Sequence, residues 1–178
     1  MKFIATDIAG ACLVQPEPLR DTRGYFARMW CAREFADHGL NPSLVQCNVS
    51  FTEQRGTLRG MHYQTAPHAE AKLIRVLRGR VYDVLLDLRE GTPGFGRWQA
   101  FELDSENATM LYAPEGVAHG FVTLSDNTEM FYQMSAGYSA GHAAGVRWND
   151  PAFQIKWPLD NPLLSPRDQQ HPLWNHPN

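Results

Sequence analysis

The chain lacks several features that would assign it to a membrane or to the cell exterior. None of its apolar runs approaches the ~20 residues that span a bilayer. The N-terminus reaches Asp7 too early for a signal peptide. Its cysteines, Cys12, Cys31 and Cys47, are odd in number and form no CxxC pair, which indicates reduced thiols. These absences predict a cytoplasmic protein that has no membrane partner.

Positive charge and glycine-rich loops are also scarce. The net charge is −3, so no global positive field would recruit nucleic acid. The sequence contains no glycine-rich dinucleotide-binding loop, and we expect no redox cofactor.

What is present is an ordinary globular composition, in which 43% of the residues are hydrophobic and 20% are charged. The 178 residues fit one domain, residues 1–178, because no linker or repeat divides them. Fourteen glycines and twelve prolines punctuate many short segments, which favours an all-β fold of the sandwich or jelly-roll type.

Alternating apolar and polar residues indicate the individual strands. In the clearest one, 81–89, Tyr82 and Val84 face one side while Asp83 and Asp87 face the other. The other predicted strands are 45–51, 73–77, 96–103, 110–113, 120–123 and 129–134. One short helix is predicted at 31–38, with Phe35 inward and Gly39 as its stop. The proline-rich tail from Trp148 should cover the sheets, with a helical turn beginning at Ser165.

The segment 57–64 contains the most informative residues for function. Arg59 and His62 stand three residues apart, and the flanking Leu58, Met61 and Tyr63 suggest an apolar, partly dry interior. A neutral imidazole beside a fixed cation suits removal of a proton from carbon, because the cation favours the negative charge that results.

Two strands present polar side chains that are candidates for a binding site. Gln46, Asn48 and Ser50 share one face if their segment is a strand. A solvated edge strand is the simpler interpretation of that face. Tyr132 could project a phenol into the interior, although a core tyrosine is the commoner case.

Two further candidates stand near turns. His119 begins a strand between Gly116 and Gly120, where a hydrogen-bonded turn histidine is the alternative. Asp168 follows Ser165 in what can be a simple helix cap with surface charges, and its functional interpretation requires it to reach a histidine.

A metal site is not expected from the spacing of the histidines. His62, His68 and His119 are available, but His62 is followed by Tyr63 and Gln64 rather than by the His-x-His pair of metal-binding jelly rolls. Glu70 stands at the wrong spacing. We therefore predict that the chain has no metal.

Taken together, these segments resemble the dTDP-4-dehydrorhamnose 3,5-epimerase family of the cupin superfamily. The resemblance follows the family's order along nearly the whole chain. Its landmarks are Arg20–Phe26, Gln46-x-Asn48-x-Ser50, Gly56–Gln64, Glu70–Leu73, Tyr82–Arg89, Pro114–Phe121, Tyr132, Trp148–Pro151, Trp157–Pro158 and Leu164–Asp168. It implies a cupin-type jelly-roll barrel with short peripheral helices, a homodimer, a nucleotide-sugar substrate and catalysis that uses neither a metal nor another cofactor.

The resemblance also implies roles for single residues. His62 would be the base that removes a proton, and Asp168 would orient it. Tyr132 would return a proton from the opposite face of the sugar, and Lys72 would lie near the ketone oxygen. Further implied substrate-binding residues are Arg23, Phe26, Arg28, Gln46, Asn48, Arg59, His119, Tyr138 and Arg167. Of these, Arg23 and Phe26 match a segment that reaches the partner subunit's nucleotide pocket, and Tyr138 matches an aromatic residue near the base.

Elementary chemistry agrees with these implied roles. Removing a hydrogen beside a ketone produces an enolate, which needs a buried positive charge or donor to form near neutral pH. Inversion requires a proton taken from one face and another delivered to the opposite face. Histidine and tyrosine have suitable reference pKa values of roughly 6.5 and 10.

The chain departs from the family pattern at two positions that touch the nucleotide in the family. Arg28 and Ala143 stand where the family often has acids. An arginine replaces acceptors with donors and inverts the local charge. The identity of the nucleotide base therefore stays open, as does the choice between C3 and C5.

The sequence thus predicts an epimerase acting at C3, C5 or both in a nucleotide-activated 4-keto-6-deoxyhexose. One alternative is a metal-dependent cupin oxygenase with His62 and His119 as ligands, and another is a non-catalytic nucleotide-sugar-binding cupin. A sugar 3,4-ketoisomerase on a related fold is a further possibility, but Tyr132 and Asp168 favour epimerisation.

Overall fold

The computed structural model describes residues 1–174 as two antiparallel sheets that face each other. The strands are β1 (Lys2–Ala5), β2 (Cys12–Gln15), β3 (Leu19–Asp21), β4 (Gly24–Phe26), β5 (Gln46–Thr52), β6 (Leu58–Gln64), β7 (Lys72–Arg78), β8 (Arg80–Asp87), β9 (Trp98–Asp104), β10 (Met110–Ala113), β11 (Val117–Thr123), β12 (Thr128–Met134) and β13 (Ala143–Gly145). The two short helices are α1 (Ala32–Asp37) and α2 (Pro166–Gln169). The predicted jelly-roll barrel with short peripheral helices is confirmed.

The strand order divides the chain between the two sheets. One sheet runs β1-β2-β10-β7-β12-β5, and the other runs β13-β6-β11-β8-β9. Within residues 1–174 the strands β3 and β4 pair only with each other, as a separate hairpin. The main core lies between the sheets and contains Ile74, Leu85, Leu111, Phe121 and Met130, each at most 2% exposed. Because β5 ends one sheet and β6 lies next to the end of the other, polar side chains on these strands can line an opening between the sheets.

The outer face of the five-stranded sheet is buried as well. Val84 and Leu86 of β8 pack there against Phe153, and Trp157 and Trp174 of the tail pack against the same cluster. This confirms both the predicted alternation in 81–89 and the predicted cover formed by the tail. The opposite face of β8 points into the barrel, so Asp83 and Asp87 are fully buried rather than solvated.

The outer face of the six-stranded sheet is covered by α1. Phe35 of this helix is 1% exposed and makes an edge-on contact with Tyr112 of β10. Met110 and Leu73 belong to the same apolar cluster. The helix ends before Gly39, whose φ is +72°, as the sequence predicts.

Several strands were not predicted from the sequence. The most important is β6, which contains Arg59 and His62 but has no clean alternation of apolar and polar residues, because parts of both its faces are buried. The strands β1, β2, β3, β4 and β13 were missed as well, since each has only three or four residues. Short segments carry too few positions for a periodic pattern. Among residues 1–174, none of the helices is long and apolar enough to cross a membrane.

The backbones of β6 and β11 approach unusually closely at Gly60. A methyl group built on Gly60 would lie 2.6 Å from the Cα atom of Gly120, and the φ of Gly60 is +150°. Alanine at this position therefore combines backbone overlap with a strained conformation. Gly60 lies between Arg59 and His62 on β6, so this close approach of the backbones also helps to position those two side chains.

We expect Gly60→Ala to lower the free energy of unfolding by about 2–6 kcal/mol, the sum of an overpacking cost and a backbone-strain cost. Urea unfolding followed by tryptophan fluorescence measures the change. Gly141→Ala is the matched control, because nothing lies within 4 Å of the added methyl group, and its effect should stay within about 0.5 kcal/mol. Equal unfolding free energies for the two variants would refute the close-approach interpretation.

Candidate active site

A cavity of about 390 Å³ opens between the two sheets, a volume suited to a small ligand. It brings together residues that are far apart in the sequence. Its lining includes the predicted site residues Gln46, Asn48, Arg59, His62, Lys72, His119, Tyr132, Tyr138, Arg167 and Asp168.

His62 of β6 forms a hydrogen-bonded pair with Asp168 at one side of the cavity. The Nε2 atom of His62 lies 2.6 Å from Oδ1 of Asp168. A carboxylate partner favours the tautomer in which Nε2 carries the proton, which leaves Nδ1 with a lone pair. The His62 side chain is 41% exposed and the Asp168 side chain 6% exposed, so the ring meets the cavity while its partner lies behind it. This is the arrangement of a positioned general base.

The helix α2 holds Asp168 in place. Ser165 is the N-cap residue, and its side-chain oxygen accepts a hydrogen bond from the backbone N–H of Asp168. Burial acts to raise the pKa of Asp168, but the hydrogen bond and charge of His62, together with Ser165, outweigh it. The net pKa is lowered, so the carboxylate stays ionised beside the imidazole.

Tyr132 contributes a phenol from the other sheet. It lies on β12, whereas His62 lies on β6, and both side chains line the same cavity. Its hydroxyl lies 2.7 Å from the hydroxyl of Ser50 on the neighbouring strand β5. Burial raises the pKa of Tyr132 to about 12, although Ser50 acts in the opposite direction. The phenol is therefore protonated near neutral pH and can act as an acid.

A second histidine–aspartate pair lies deeper in the barrel. The Nε2 atom of His119 is 2.9 Å from Oδ2 of Asp83, and both side chains are buried. Burial raises the pKa of Asp83, and contact with His119 offsets this only in part. The ring of His119 meets that of Tyr132 edge-on at 6.2 Å between centroids. Asp83 therefore holds the imidazole of His119 in contact with the edge of the Tyr132 ring.

Three cations line the cavity, from different elements. The ammonium of Lys72 lies 2.8 Å from the carboxylate of Glu70, and both side chains are largely buried. Arg59 is held by hydrogen bonds from Nε to the hydroxyl of Thr52 and from Nη2 to the carbonyl of Phe51. Arg167 of α2 adds a third positive charge. Such a set favours an anionic ligand such as a diphosphate.

The polar face of β5 lies at the mouth of the cavity. Gln46 accepts a hydrogen bond from the backbone N–H of Tyr138 and donates one to Asn48. Tyr138 is 59% exposed, so its side chain can contact a ligand at the cavity mouth. Both interpretations of β5 therefore hold, because it is an edge strand and also lines the cavity.

Three of the predicted substrate-binding residues lie outside this cavity. Arg23 and Phe26 belong to the β3–β4 hairpin, where Arg23 pairs with Asp21 and Phe26 is 73% exposed. Arg28 pairs with Glu34, at 2.7 Å, on the helix side of the barrel.

Sequence reasoning missed Asp83 and His171 as parts of the site. Asp83 carried a signal, since a charged residue on the inward face of a strand requires a buried partner. His171 carried none, because it lies in the irregular tail. In the structure its Nε2 atom is 3.5 Å from Oδ1 of Asp168. Burial, followed by the charge of His62, lowers the pKa of His171.

Of the histidines considered as metal ligands in the sequence, only His62 belongs to the cluster that the described part of the structure brings together. His62 and His119 each pair with their own aspartate. Within residues 1–174, the three side chains close enough to share an ion are His62, Asp168 and His171.

Comparison with known proteins identifies the family. The sequence profile described as dTDP-4-dehydrorhamnose 3,5-epimerase matches residues 5–176. The chain is 41% identical over 173 residues to the dTDP-4-dehydrorhamnose 3,5-epimerase of Sinorhizobium fredii, covering 97% of this chain and 89% of that protein.

Solved structures agree with the sequence match. The Bacillus anthracis dTDP-4-dehydrorhamnose 3,5-epimerase with TDP and PPi bound is 40% identical, with a TM-score of 0.93 over 97% of this chain and 99% of that one. A 3′-monoepimerase from Streptomyces bikiniensis in complex with dTDP-quinovose is 35% identical, with a TM-score of 0.88 over 96% and 86%. The chain therefore belongs to the dTDP-4-dehydrorhamnose 3,5-epimerase family.

Proposed function

We propose that this protein is an isomerase that inverts C3, C5 or both in a dTDP-activated 4-keto-6-deoxyhexose. One observation carries the proposal. His62, paired with Asp168, enters the cavity from the five-stranded sheet, and the phenol of Tyr132 enters it from the six-stranded sheet. Two groups on different sheets suit a reaction that removes a proton from one face of a ring and adds one to the other. The relatives from Sinorhizobium fredii and Bacillus anthracis, which align with nearly the whole chain, are dTDP-4-dehydrorhamnose 3,5-epimerases.

In the proposed reaction, Nδ1 of His62 takes the proton from the carbon beside the ketone. The electrons of the broken C–H bond form an enolate, and Lys72 stabilises the charge on its oxygen. Tyr132 then donates its phenolic proton to the opposite face of the same carbon. Water afterwards restores the proton on Tyr132 and removes the one on His62, so that only the configuration of the carbon changes.

Substrate recognition is proposed to depend on the cations and on β5. Arg59 and Arg167 suit the diphosphate, because a guanidinium binds phosphate oxygens in pairs. His119, held by Asp83, faces the sugar or the enolate. Gln46 and Asn48 supply amides at the cavity mouth, and the exposed ring of Tyr138 offers a surface on which a nucleotide base can stack.

We further propose a homodimer in which the β3–β4 hairpin reaches the partner's cavity. Within residues 1–174 the hairpin pairs with no other strand, and it exposes Leu19, Tyr25 and Phe26 at 73%, 58% and 73%. An isolated two-stranded hairpin with apolar tips is marginally stable in water, so a partner surface is the natural place for it. Arg23 and Phe26 would then contact the partner's nucleotide, with Arg28 nearer the hairpin base. Light scattering coupled to size exclusion tests the dimer.

We also propose that the chain acts as one domain, because its tail packs on the five-stranded sheet. A cytoplasmic location is supported by the three cysteines, all of which are free.

Incubation of the protein with the dTDP-4-keto-6-deoxyhexose in deuterated water tests the function. We expect deuterium at a carbon next to the ketone, together with inversion at that carbon. Label at both carbons identifies a 3,5-epimerase, and label at one identifies a single-site epimerase. No label at either carbon, despite binding of the nucleotide sugar, would replace the proposal with the non-catalytic binding alternative.

A further inference from the structure

His171 lies directly behind the His62–Asp168 pair. Its Nε2 atom is 3.5 Å from Oδ1 of Asp168, the oxygen that also contacts His62 at 2.6 Å. The two imidazole rings meet edge-on, with 5.4 Å between their centroids. One nitrogen of each histidine and one oxygen of Asp168 all lie within 4.8 Å of one another.

The position of His171 is fixed by close packing. The residue is 8% exposed, and its ring lies against Gly145 of β13, where an added methyl group would overlap the ring. Its backbone carbonyl accepts a hydrogen bond from Nε of Arg147. Its Nε2 atom is buried and, although it lies 3.5 Å from Oδ1 of Asp168, it forms no hydrogen bond within residues 1–174. A buried polar atom without a partner is costly and uncommon, which points to a ligand for that atom.

The three groups match the preferences of a divalent transition metal. Zinc takes imidazole nitrogen and carboxylate oxygen at about 2.0–2.2 Å, so neighbouring ligands of a tetrahedral ion lie roughly 3.3–3.6 Å apart. The 3.5 Å between Asp168 and His171 already fits this spacing. The 2.6 Å contact between His62 and Asp168 has to open by about 1 Å. Because the side chain of His62 is 41% exposed, cavity water can supply the fourth ligand.

We propose that His62, Asp168 and His171 form an inhibitory site for a divalent transition metal of the zinc class. A metal on Nε2 of His62 replaces the hydrogen bond to Asp168, and the proton that Nε2 carried moves to Nδ1. Nδ1 then has no lone pair to accept a proton, so the step that removes the proton from carbon is suppressed. The inhibition rests on the proposed epimerase function, whereas the metal binding does not.

Direct binding tests the site without any substrate. Chelator-treated protein is titrated with Zn²⁺ by calorimetry, and the bound metal is counted by elemental analysis after dialysis. We expect one tight equivalent in the wild type. His171→Phe keeps a ring over Gly145 but removes the ligand nitrogen, and His171→Gln keeps a polar group. Each should bind roughly 100-fold more weakly or worse, since even the loss of a group that only supports a ligand costs about 10–100-fold.

A matched control addresses the other pair of neighbouring imidazoles in residues 1–174. His68 and His142 have ring centroids 4.3 Å apart, and His142 lies near the cavity strand β13. We expect His142→Asn to bind the equivalent as tightly as the wild type, and His62→Ala to lose it. Loss of the equivalent in His142→Asn, or wild-type binding in both His171 variants, would overturn the proposal, as would the lack of a tight equivalent in the wild type.

The inhibitory effect is read from deuterium exchange, with each protein compared with its own chelator-treated rate. One equivalent of Zn²⁺ should suppress exchange in the wild type, and added chelator should restore it. His171→Phe should keep its own rate at the same free Zn²⁺ concentration. If Zn²⁺ binds as expected but the chelated protein exchanges no deuterium, the proposed function fails and the metal site stands. Full exchange in the zinc-loaded wild type would refute the inhibitory role.

Discussion

His62→Ala is expected to reduce deuterium incorporation next to the ketone by about 10³-fold, the range lost with a general base. The physical reason is that His62 provides the ring nitrogen that faces the cavity while the other nitrogen is held by Asp168. His119, the other histidine that lines the cavity, is not equivalent, because its side chain is only 6% exposed, whereas that of His62 is 41% exposed. Exchange is measured by proton NMR or mass spectrometry of the sugar nucleotide.

The control for this variant is His38→Ala. His38 is an exposed histidine at the end of α1, where its Nδ1 contacts the carbonyl of Glu34, outside the cavity lining. Its loss should leave the exchange rate unchanged. Because the His62 side chain is only half-buried, His62→Ala should also keep the wild-type circular dichroism spectrum. Wild-type exchange in folded His62→Ala would disprove the assignment of the base.

Asp168→Asn refines the interpretation of this result. The amide keeps the shape of the carboxylate but can present its N–H to the imidazole and stabilise the wrong tautomer. We expect the loss to appear in kcat rather than in KM, because Asp168 acts through His62. An equal change in both constants would instead indicate that Asp168 binds the substrate directly.

The second large effect is expected for Tyr132→Phe, which should separate exchange from inversion. His62 can still remove a proton and return a deuteron to the same face, so label should continue to enter the substrate. Formation of the inverted product should fall by about 10²–10³-fold, because the opposite face has lost its acid. The measurement follows the configuration and the deuterium content of the recovered sugar in the same sample.

Tyr112→Phe is the matched control for the loss of a buried phenol. Burial raises the pKa of Tyr112 to about 12, as it does for Tyr132, but the hydroxyl of Tyr112 accepts a hydrogen bond from the backbone N–H of Asn41 outside the cavity. Its removal should affect stability and leave the ratio of inversion to exchange unchanged. If Tyr132→Phe inverts the carbon at the wild-type rate, another group must deliver the second proton.

Much of the site was predictable because certain residue types in certain patterns carry chemical meaning. Arg59 and His62 stood out by their spacing among apolar residues, and the helix cap at Ser165 was predicted from local sequence and confirmed. Polar residues at alternating positions of β5 predicted a shared face, and the structure confirms that Gln46, Asn48 and Ser50 line the cavity together. These are local signals, since each depends on residues within a few positions of one another.

The contacts of Asp83 with His119 and of His171 with Asp168 were less predictable. The pair formed by His119 and Asp83 arises from neighbouring strands, and a search for inward-facing charges could have found it. His171 offered no such signal, because its contact with Asp168 depends on how the irregular tail packs against β13. The β6 strand was missed for a related reason, since burial on parts of both faces removes the alternation that would have indicated it.

The sequence by itself determined the all-β class, the family and the kinds of group available for chemistry, because strand periodicity, turn residues and side-chain types are properties of local sequence. Only the tertiary structure decided which groups meet. His62 and Asp168 are separated by 106 residues, yet their atoms lie 2.6 Å apart. A hydrogen bond acts over a short range and depends on direction. Its formation is therefore set by how the sheets and the tail pack together, and no local pattern specifies that packing.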